Sequence, residues 1–246
     1  MITSGNTEIK SISYNGKTIK KVFSCGSYVW SGDTPTPPTP TGGTKWFATY
    51  SDSHTESGEC GAYSAITNNE ITKVNLVSVV IGNCVTGLTD YTFSYCVNLS
   101  SVTFSDTITT IGNGTFDNCT SLSSLTLPYS LRNISGSSFS NCSGLTSVTF
   151  AENSQLENIG NSAFSGCTSL TSINIPSGVT RIGNGAFRNS SGLTSVTINS
   201  TTPPTLGSYA FYNTNNCPIY VPSNSVETYK TTTGWIGLAS RIQAIP

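Results

Sequence analysis

Leu122-Ser-Ser-Leu125-Thr-Leu127-Pro-Tyr-Ser-Leu131-Arg-Asn-Ile134-Ser-Gly-Ser-Ser-Phe139 decides how this chain of 246 residues is read, because the same pattern is written six times. Aligned on the phenylalanine, the copies fall at Phe93, Phe116, Phe139, Phe164, Phe187 and Phe211, separated by 23, 23, 25, 23 and 24 residues. Each copy runs Leu, two residues, an aliphatic, one residue, an aliphatic or Phe, a short polar gap, Ile-Gly and then Phe. The third copy departs from this at Ser135, which stands in the glycine slot.

Within one copy, Leu145-Thr-Ser-Val148-Thr-Phe150, the last residues alternate apolar and polar. Val148 and Phe150 are therefore expected to point inward from a short strand, and Ser147 and Thr149 outward. A single strand cannot bury its own apolar face. Stacked copies can, with Val102, Leu125, Val148, Ile173 and Val196 forming one continuous ladder, so that stability comes from neighbours. Gly112, Gly160 and Gly183, each after Ile, are expected to supply a turn residue that tolerates positive φ. A fixed period of this length with a Leu-x-x-Leu-x-Leu core is the signature of a leucine-rich-repeat solenoid. The expected fold is α/β, a strand-rich, right-handed horseshoe-like coil of about six repeats over 76–211, preceded by a small all-β N-terminal module.

The blocks Gly144-Leu-Thr-Ser-Val-Thr-Phe150, Phe164-Ser-Gly-Cys-Thr-Ser-Leu170 and Ile182-Gly-Asn-Gly-Ala-Phe187 resemble the BspA-like leucine-rich repeats abundant in proteins of gut Bacteroidales and their phages. The tail, from Cys217-Pro-Ile-Tyr-Val-Pro222 through Trp235 to Ala239-Ser-Arg-Ile242, is similar to the closing segment of that family. The resemblance covers roughly residues 45–246 and implies a solenoid with a binding or adhesive role. It carries no catalytic motif and fixes no ligand.

Only 9% of the residues are charged and the formal net charge is -1. Nucleic acid is therefore an unfavoured partner, since phosphate binding needs clustered Lys and Arg. No window approaches the roughly 18 apolar residues of a membrane span. The opening Met1-Ile-Thr-Ser-Gly-Asn-Thr-Glu8 lacks the basic start and apolar stretch of a secretory signal. Either the start has been trimmed, or the protein leaves the cell by another route such as phage lysis.

Residues 1–32 read as a β-hairpin docking or anchoring module. Ile12 and Tyr14 precede the turn signal Asn15-Gly16, Ile19, Val22 and Phe23 follow it, and Tyr28 and Trp30 lie beyond a second turn. These seven side chains are the candidate anchor. They are too few for an independent core. One reading is a weakly folded extension whose lysines, Lys10, Lys17, Lys20 and Lys21, guard strand edges. The other is a tag that locks onto a partner protein, in a virion or a surface assembly, by adding strands to it. Residues 33–44, Asp-Thr-Pro-Thr-Pro-Pro-Thr-Pro-Thr-Gly-Gly-Thr, form an extended spacer.

Residues 45–75 should cap the first repeat, with Trp46, Phe47, Tyr50 and Tyr63 as cover. The only histidine, His54, lies here with Asp52, Glu56 and Cys60, a spacing that matches no standard metal site and reads as a polar loop. Cys96, Cys119, Cys142 and Cys167 fall three residues after the repeat Phe and are expected to be buried free thiols, with Ser190 in the fifth slot. The state of Cys25, Cys60, Cys84 and Cys217 stays open, Cys60 with Cys84 being one pairing for a cap disulfide. Residues 199–246 should close the far end, with 212–246 as the C-terminal cap. There Pro203, Pro204, Pro218 and Pro222 interrupt the repeat, Ser223 or Ser225 caps a short helix, and most of Tyr209, Tyr212, Tyr220, Tyr229 and Trp235 are expected to pack on the last rung, the alternative being a partner-binding patch.

The outward strand positions are Ser101, Thr103, Ser124, Thr126, Ser147, Thr149, Ser172, Asn174, Ser195 and Thr197. They suit a soluble sheet face, and they are equally the candidate ligand-facing surface for a host protein or glycan, with loops and caps weighted as heavily. No Ser-His-Asp or Cys-His pair, phosphate loop or dinucleotide motif can be assembled, so no catalytic residue, metal site or cofactor is nominated. The sequence thus points to a non-catalytic binding or adhesion protein on a phage virion surface, in capsid or tail, facing host or gut surface. The alternative is a bacterial cell-surface adhesin without its export signal.

Overall fold

A computed structural model of the chain describes residues 9–14, 17–22, 44–50, 55–59, 65–66 and 75–246, with side chains described from 46–50 and from 75 onward. Each repeat crosses the molecule as two short strands joined by turns. The first strands are Leu76–Ile81, Ser101–Thr103, Ser124–Leu127, Ser147–Phe150, Ser172–Ile175, Ser195–Ile198 and Ile219–Val221. In Ser124–Leu127 and Ser172–Ile175 burial alternates exposed and buried along the strand, as the apolar-polar alternation requires. The second strands are only two residues long: Ala65–Ile66, Gly87–Leu88, Thr110–Ile111, Asn133–Ile134, Asn158–Ile159, Arg181–Ile182 and Thr205–Leu206. They pair in sequence order as one seven-stranded parallel sheet. The coil therefore has about seven turns, one more than the six phenylalanines mark. Five residues after Ile66 the sequence has Ile71, so alignment on Phe passes over that first turn.

Between the two strand sets lies a single apolar core reaching from Trp46 to Ile242. The six phenylalanines are its spine. Their rings stack at centroid separations of 5.1, 5.3, 5.2, 5.4 and 5.3 Å from Phe93 to Phe211, with interplanar angles of 12° or less. The backbone keeps the same register. Phe93, Phe116, Phe139, Phe164 and Phe187 each donate their N–H to the carbonyl one residue before the next Phe, at 2.7–2.8 Å. Every rung thus satisfies its neighbour's peptide groups as well as covering its side chains.

The glycines after Ile behave differently from the expectation. Gly112, Gly160 and Gly183 are not among the residues of positive φ. A Cβ added there would instead lie 2.5–2.7 Å from backbone atoms of the preceding rung: Leu88 O for Gly112, Ser135 C for Gly160 and Asn161 N for Gly183. Close backbone approach, not backbone hand, selects glycine here. The left-handed positions flank the Phe. Two residues before it stand Tyr91, Gly114, Ser137, Ser162, Gly185 and Tyr209, and two after it Tyr95, Asn118, Asn141, Gly166, Asn189 and Asn213, all with φ between 54° and 74°. Asn and Gly accept that region readily, whereas a tyrosine there costs roughly 1–2 kcal/mol.

The cysteine slot is a buried donor position. The thiols of Cys119, Cys142 and Cys167 each donate to the carbonyl of the preceding rung's Phe at 3.2 Å, and in the fifth rung Ser190 Oγ donates to Phe164 O at 2.7 Å. Cys96, Cys119, Cys142, Cys167 and Cys217 are free and buried, as expected of the ladder. Cys84 is disulfide-bonded, and its partner lies outside the described residues, as Cys25 and Cys60 do. Burial pushes the Cys142 thiol from its usual 9.0 up to about 12, and burial raises Cys119 and Cys167 as well. The folded chain therefore holds thiol protons that the unfolded chain releases, so the stability these thiols contribute is complete below about pH 9 and is lost as pH rises towards about 12. Urea unfolding across that window will show a smaller alkaline loss in the Cys119→Ser, Cys142→Ser, Cys167→Ser triple variant than in the natural chain.

At the N-terminal end, Thr44–Tyr50 runs antiparallel to both Leu76–Ile81 and Thr55–Glu59. Trp46 and Tyr50 are buried and Phe47 is half-buried, so these three cover the first rung; Tyr63, His54, Asp52 and the side chains of Glu56 and Cys60 lie outside the described residues. Further upstream, Ile9–Tyr14 and Lys17–Val22 pair antiparallel with Ile12 opposite Ile19 and Tyr14 opposite Lys17, the register a two-residue turn produces. The candidate anchor side chains, with Phe23, Tyr28, Trp30 and the spacer 33–43, are outside the described residues.

The far end corrects two expectations. Prolines do not end the stack: beyond Pro218, Ile219–Val221 pairs parallel with Ser195–Ile198, and Ile242–Ala244 adds a further strand to Ile219–Val221. Each proline lies at a strand margin where no ladder N–H is needed. Ser225 precedes the helix Val226–Thr231 but makes no capping bond; its hydroxyl pairs with Asn224 Oδ1 at 3.2 Å. The closure is made by Tyr229, whose hydroxyl donates to Ser200 O at 2.9 Å, and by Trp235, whose Nε1 donates to Pro204 O at 2.8 Å. Both rings are fully buried and meet edge to face at 5.0 Å. Arg241 completes it, donating to Cys217 O (2.8 Å), Phe211 O (3.3 Å) and Thr214 Oγ1 (3.0 Å). Arg241→Ala removes the donor to Cys217 O, while Phe211 O keeps its bond from Thr214 Oγ1, and we expect a loss of about 1–2 kcal/mol in chemical denaturation.

Candidate functional site

The ten ligand-facing candidates lie where the alternation placed them. Ser101, Thr103, Ser124, Thr126, Ser147, Thr149, Ser172 and Asn174 are exposed, while Ser195 and Thr197 are half-buried. Register brings Ser124 beside Ser147, Thr126 beside Thr149, Ser172 beside Ser195 and Asn174 beside Thr197. The columns are therefore real, and Val102, Leu125, Val148, Ile173 and Val196 beneath them share one core, but the backbone pairing is not continuous. Backbone pairing on this side divides into three sheets, with breaks between Ser101–Thr103 and Ser124–Leu127 and between Ser147–Phe150 and Ser172–Ile175. Each break follows a rung that ends in phenylalanine. Phe104 and Phe150 stay half-buried where Leu127, Ile175 and Ile198 are fully inside. The larger ring does not fit the slot, and the strand edge opens beside it. At the first break this leaves a cleft of about 320 Å³ lined by Ser101, Val102, Thr103, Phe104, Ser124 and Thr126, with Phe104 edge-on to Phe116 at 6.0 Å. Four of the ten candidates thus share one concavity.

The second concavity is at the C-terminal cap, about 980 Å³ in volume. Gly207, Gly234, Gly237, Phe211 and Leu238 line its apolar part, and Ser208, Asn213, Asn216, Ser240 and Arg241 its polar part. Tyr209 and Tyr212 also line it, 69% and 54% exposed, and their rings meet perpendicularly at 5.8 Å. The guanidinium of Arg188 lies 5.7 Å from the Tyr212 ring centre. The five aromatics of this end, most of them expected to pack on the last rung, divide: Tyr229 and Trp235 are buried, Tyr220 is half-buried, and these two face solvent. The sequence held one usable signal, a tyrosine at Tyr209 in a slot filled by Gly114, Ser137, Ser162 and Gly185 in the repeats between. The same slot at the other end holds Tyr91, whose ring packs over Gly114, 2.5 Å from where a Cβ would stand.

Among the described residues no group of three or more His, Cys, Asp or Glu side chains is placed to hold a metal ion, and no helix is long and apolar enough to cross a membrane. The acids are dispersed and used locally: Asp90 accepts from the N–H and side-chain amide of Asn113, and Glu157 pairs with Arg132 at 2.6 Å across an exposed surface.

Comparison with solved structures gives a leucine-rich repeat protein of T. pallidum, 30% identical, covering 64% of this chain and 72% of that one with a TM-score of 0.56. A leucine-rich repeat protein of Bacteroides ovatus is 22% identical, covering 70% of this chain and 55% of that one at a TM-score of 0.42. No curated protein matches the sequence significantly. The model of the BspA type leucine rich repeat region matches six copies, over residues 64–168 and 157–233. Those residues span more than half of the molecule and hold the phenylalanine spine, the cysteine slots and the paired strands described above, so the chain belongs to the BspA type leucine-rich repeat family.

Proposed function

We propose that this chain is a non-catalytic adhesion protein of a phage virion, in which residues 1–32 dock into capsid or tail, residues 33–44 act as spacer, and the repeats contact a protein or glycan on a host or gut surface. The observation that carries the reading is the exposed Ser/Thr/Asn strand face with its cleft at Ser101, Thr103, Ser124 and Thr126. Such a face offers hydroxyls on a rigid scaffold and little charge, which suits recognition by shape and hydrogen bonds rather than by electrostatic attraction. The lead segment supports display, since its seven candidate anchor side chains, Ile12, Tyr14, Ile19, Val22, Phe23, Tyr28 and Trp30, are too few to fold alone and suit strand addition to a partner.

Mass spectrometry of purified virions tests the host assembly. The chain should be found in particles, and deletion of residues 1–44 should leave a soluble, folded repeat domain that no longer enters them. Absence from every particle, with recovery from bacterial envelopes instead, would assign the display role to a cell surface.

A further inference from the structure

We propose that the cleft at the C-terminal cap binds a neutral oligosaccharide through Tyr209 and Tyr212. This deepens the reading as a binding protein by naming a ligand class, and it places the principal contact at the cap and not on the strand face. Four observations converge on it.

The cleft, about 980 Å³, lies at the upper end of the roughly 300–1,000 Å³ of small-ligand sites. Its walls alternate aromatic faces with hydroxyls and amides: Tyr209 and Tyr212 against Ser208, Asn213, Asn216 and Ser240. A sugar ring presents the same alternation, a C–H face that stacks on an aromatic and a rim of hydroxyls that both donate and accept.

Charge selects the neutral members of that class. Arg241 is the only charged residue lining the cleft, and its guanidinium is spent on Cys217 O, Phe211 O and Thr214 Oγ1. No carboxylate lines the cleft for a cationic ligand, and the guanidinium of Arg188, at its margin, lies against the Tyr212 ring, 5.7 Å from its centre.

Tyr209 shares a left-handed backbone and exposure with Tyr91 and Tyr95, and differs from them in lining a cleft. It holds φ at 58°, in a slot where Gly114 and Gly185 stand without strain. At the opposite end Tyr91 occupies this slot with its ring packed over Gly114. Tyr209 is 69% exposed and its ring meets that of Tyr212. Its ring, paired with that of Tyr212 on the cleft wall, is held there at a conformational cost, which points to a use outside the fold.

The test is isothermal titration calorimetry of the full chain against neutral gluco-, manno-, galacto- and xylo-hexasaccharides and chitohexaose, with an oligogalacturonate as anionic comparison. At least one neutral oligosaccharide should bind, and Tyr209→Gly and Tyr212→Ala should each weaken it by about tenfold or more. Tyr209→Gly restores the residue found in two other rungs, so its thermal midpoint should be unchanged or higher while binding falls. That pairing separates ligand contact from folding. Failure of every neutral oligosaccharide to bind would overturn the proposal, as would tighter binding of the oligogalacturonate. Binding that survives both tyrosine changes but is lost on Ser124→Trp would also overturn it, while leaving the strand-face reading above intact. Concentration-dependent dimers abolished by Tyr209→Gly, without sugar binding, would assign the cleft to a second copy of this chain and likewise sink it. Particle incorporation does not depend on any of these outcomes.

Discussion

Phe139→Ala lowers the unfolding free energy by about 3–5 kcal/mol and splits the denaturant transition in two. The ring is fully buried between Phe116 at 5.3 Å and Phe164 at 5.2 Å, nearly parallel to both, so its removal costs transfer of the side chain, two ring stacks and the cavity that remains. In a linear array each rung touches only its neighbours. A gap at the middle therefore uncouples the turns before it from those after it, and far-UV circular dichroism and buried Trp235 fluorescence should cease to report the same midpoint. Phe93→Ala should cost less than Phe139→Ala, because Phe93 stacks on the ladder ring of Phe116 alone.

Gly160→Ala should lower stability by about 3 kcal/mol, the upper end of overpacking effects. Its Cβ would stand 2.5 Å from Ser135 C and 2.7 Å from Gly136 N and Ser135 O, and backbone on a neighbouring rung cannot rotate away. Gly160→Asn distinguishes the two explanations of this glycine. Were a left-handed backbone the requirement, asparagine would be tolerated; since the requirement is contact, it should be at least as damaging as alanine. Gly185→Asn is the control. Gly185 does hold φ at 59°, a Cβ there would meet atoms no closer than 3.5 Å, and asparagine already occupies left-handed positions two residues after the Phe in other rungs. Urea unfolding should find that substitution nearly neutral.

These two cases show what pattern reveals and what it hides. The phenylalanine period, the strand alternation and the cap aromatics Trp46 and Tyr50 were legible because each reflects one side chain choosing water or core. The glycine after Ile was legible as a position but not in its cause, which resides in a neighbouring rung's backbone about a repeat away. The breaks in pairing after Phe104 and Phe150 were hidden for a similar reason: an apolar residue in an apolar slot looks satisfied until its volume is compared with Leu127, Ile175 and Ile198. The prolines misled because a strand margin and a strand interior read alike in sequence. The role of Arg241 was missed because a single basic residue near the end carries no periodic signal, though its three acceptors are all buried groups of the last turn. At the candidate site the strand columns followed directly from register. The cap cleft did not, since nothing in the pattern said which of the five aromatics pack on the last rung and which are left as a patch.

The stack of rungs is tested most directly by nuclear Overhauser contacts between ring-labelled phenylalanines in the intact chain. The structure requires an ordered series, Phe93 to Phe116 to Phe139 to Phe164 to Phe187 to Phe211, with each ring in contact with the next at 5.1–5.4 Å and none with the ring two rungs away. Contacts that skip a rung, or that join these rings into one cluster, would contradict it.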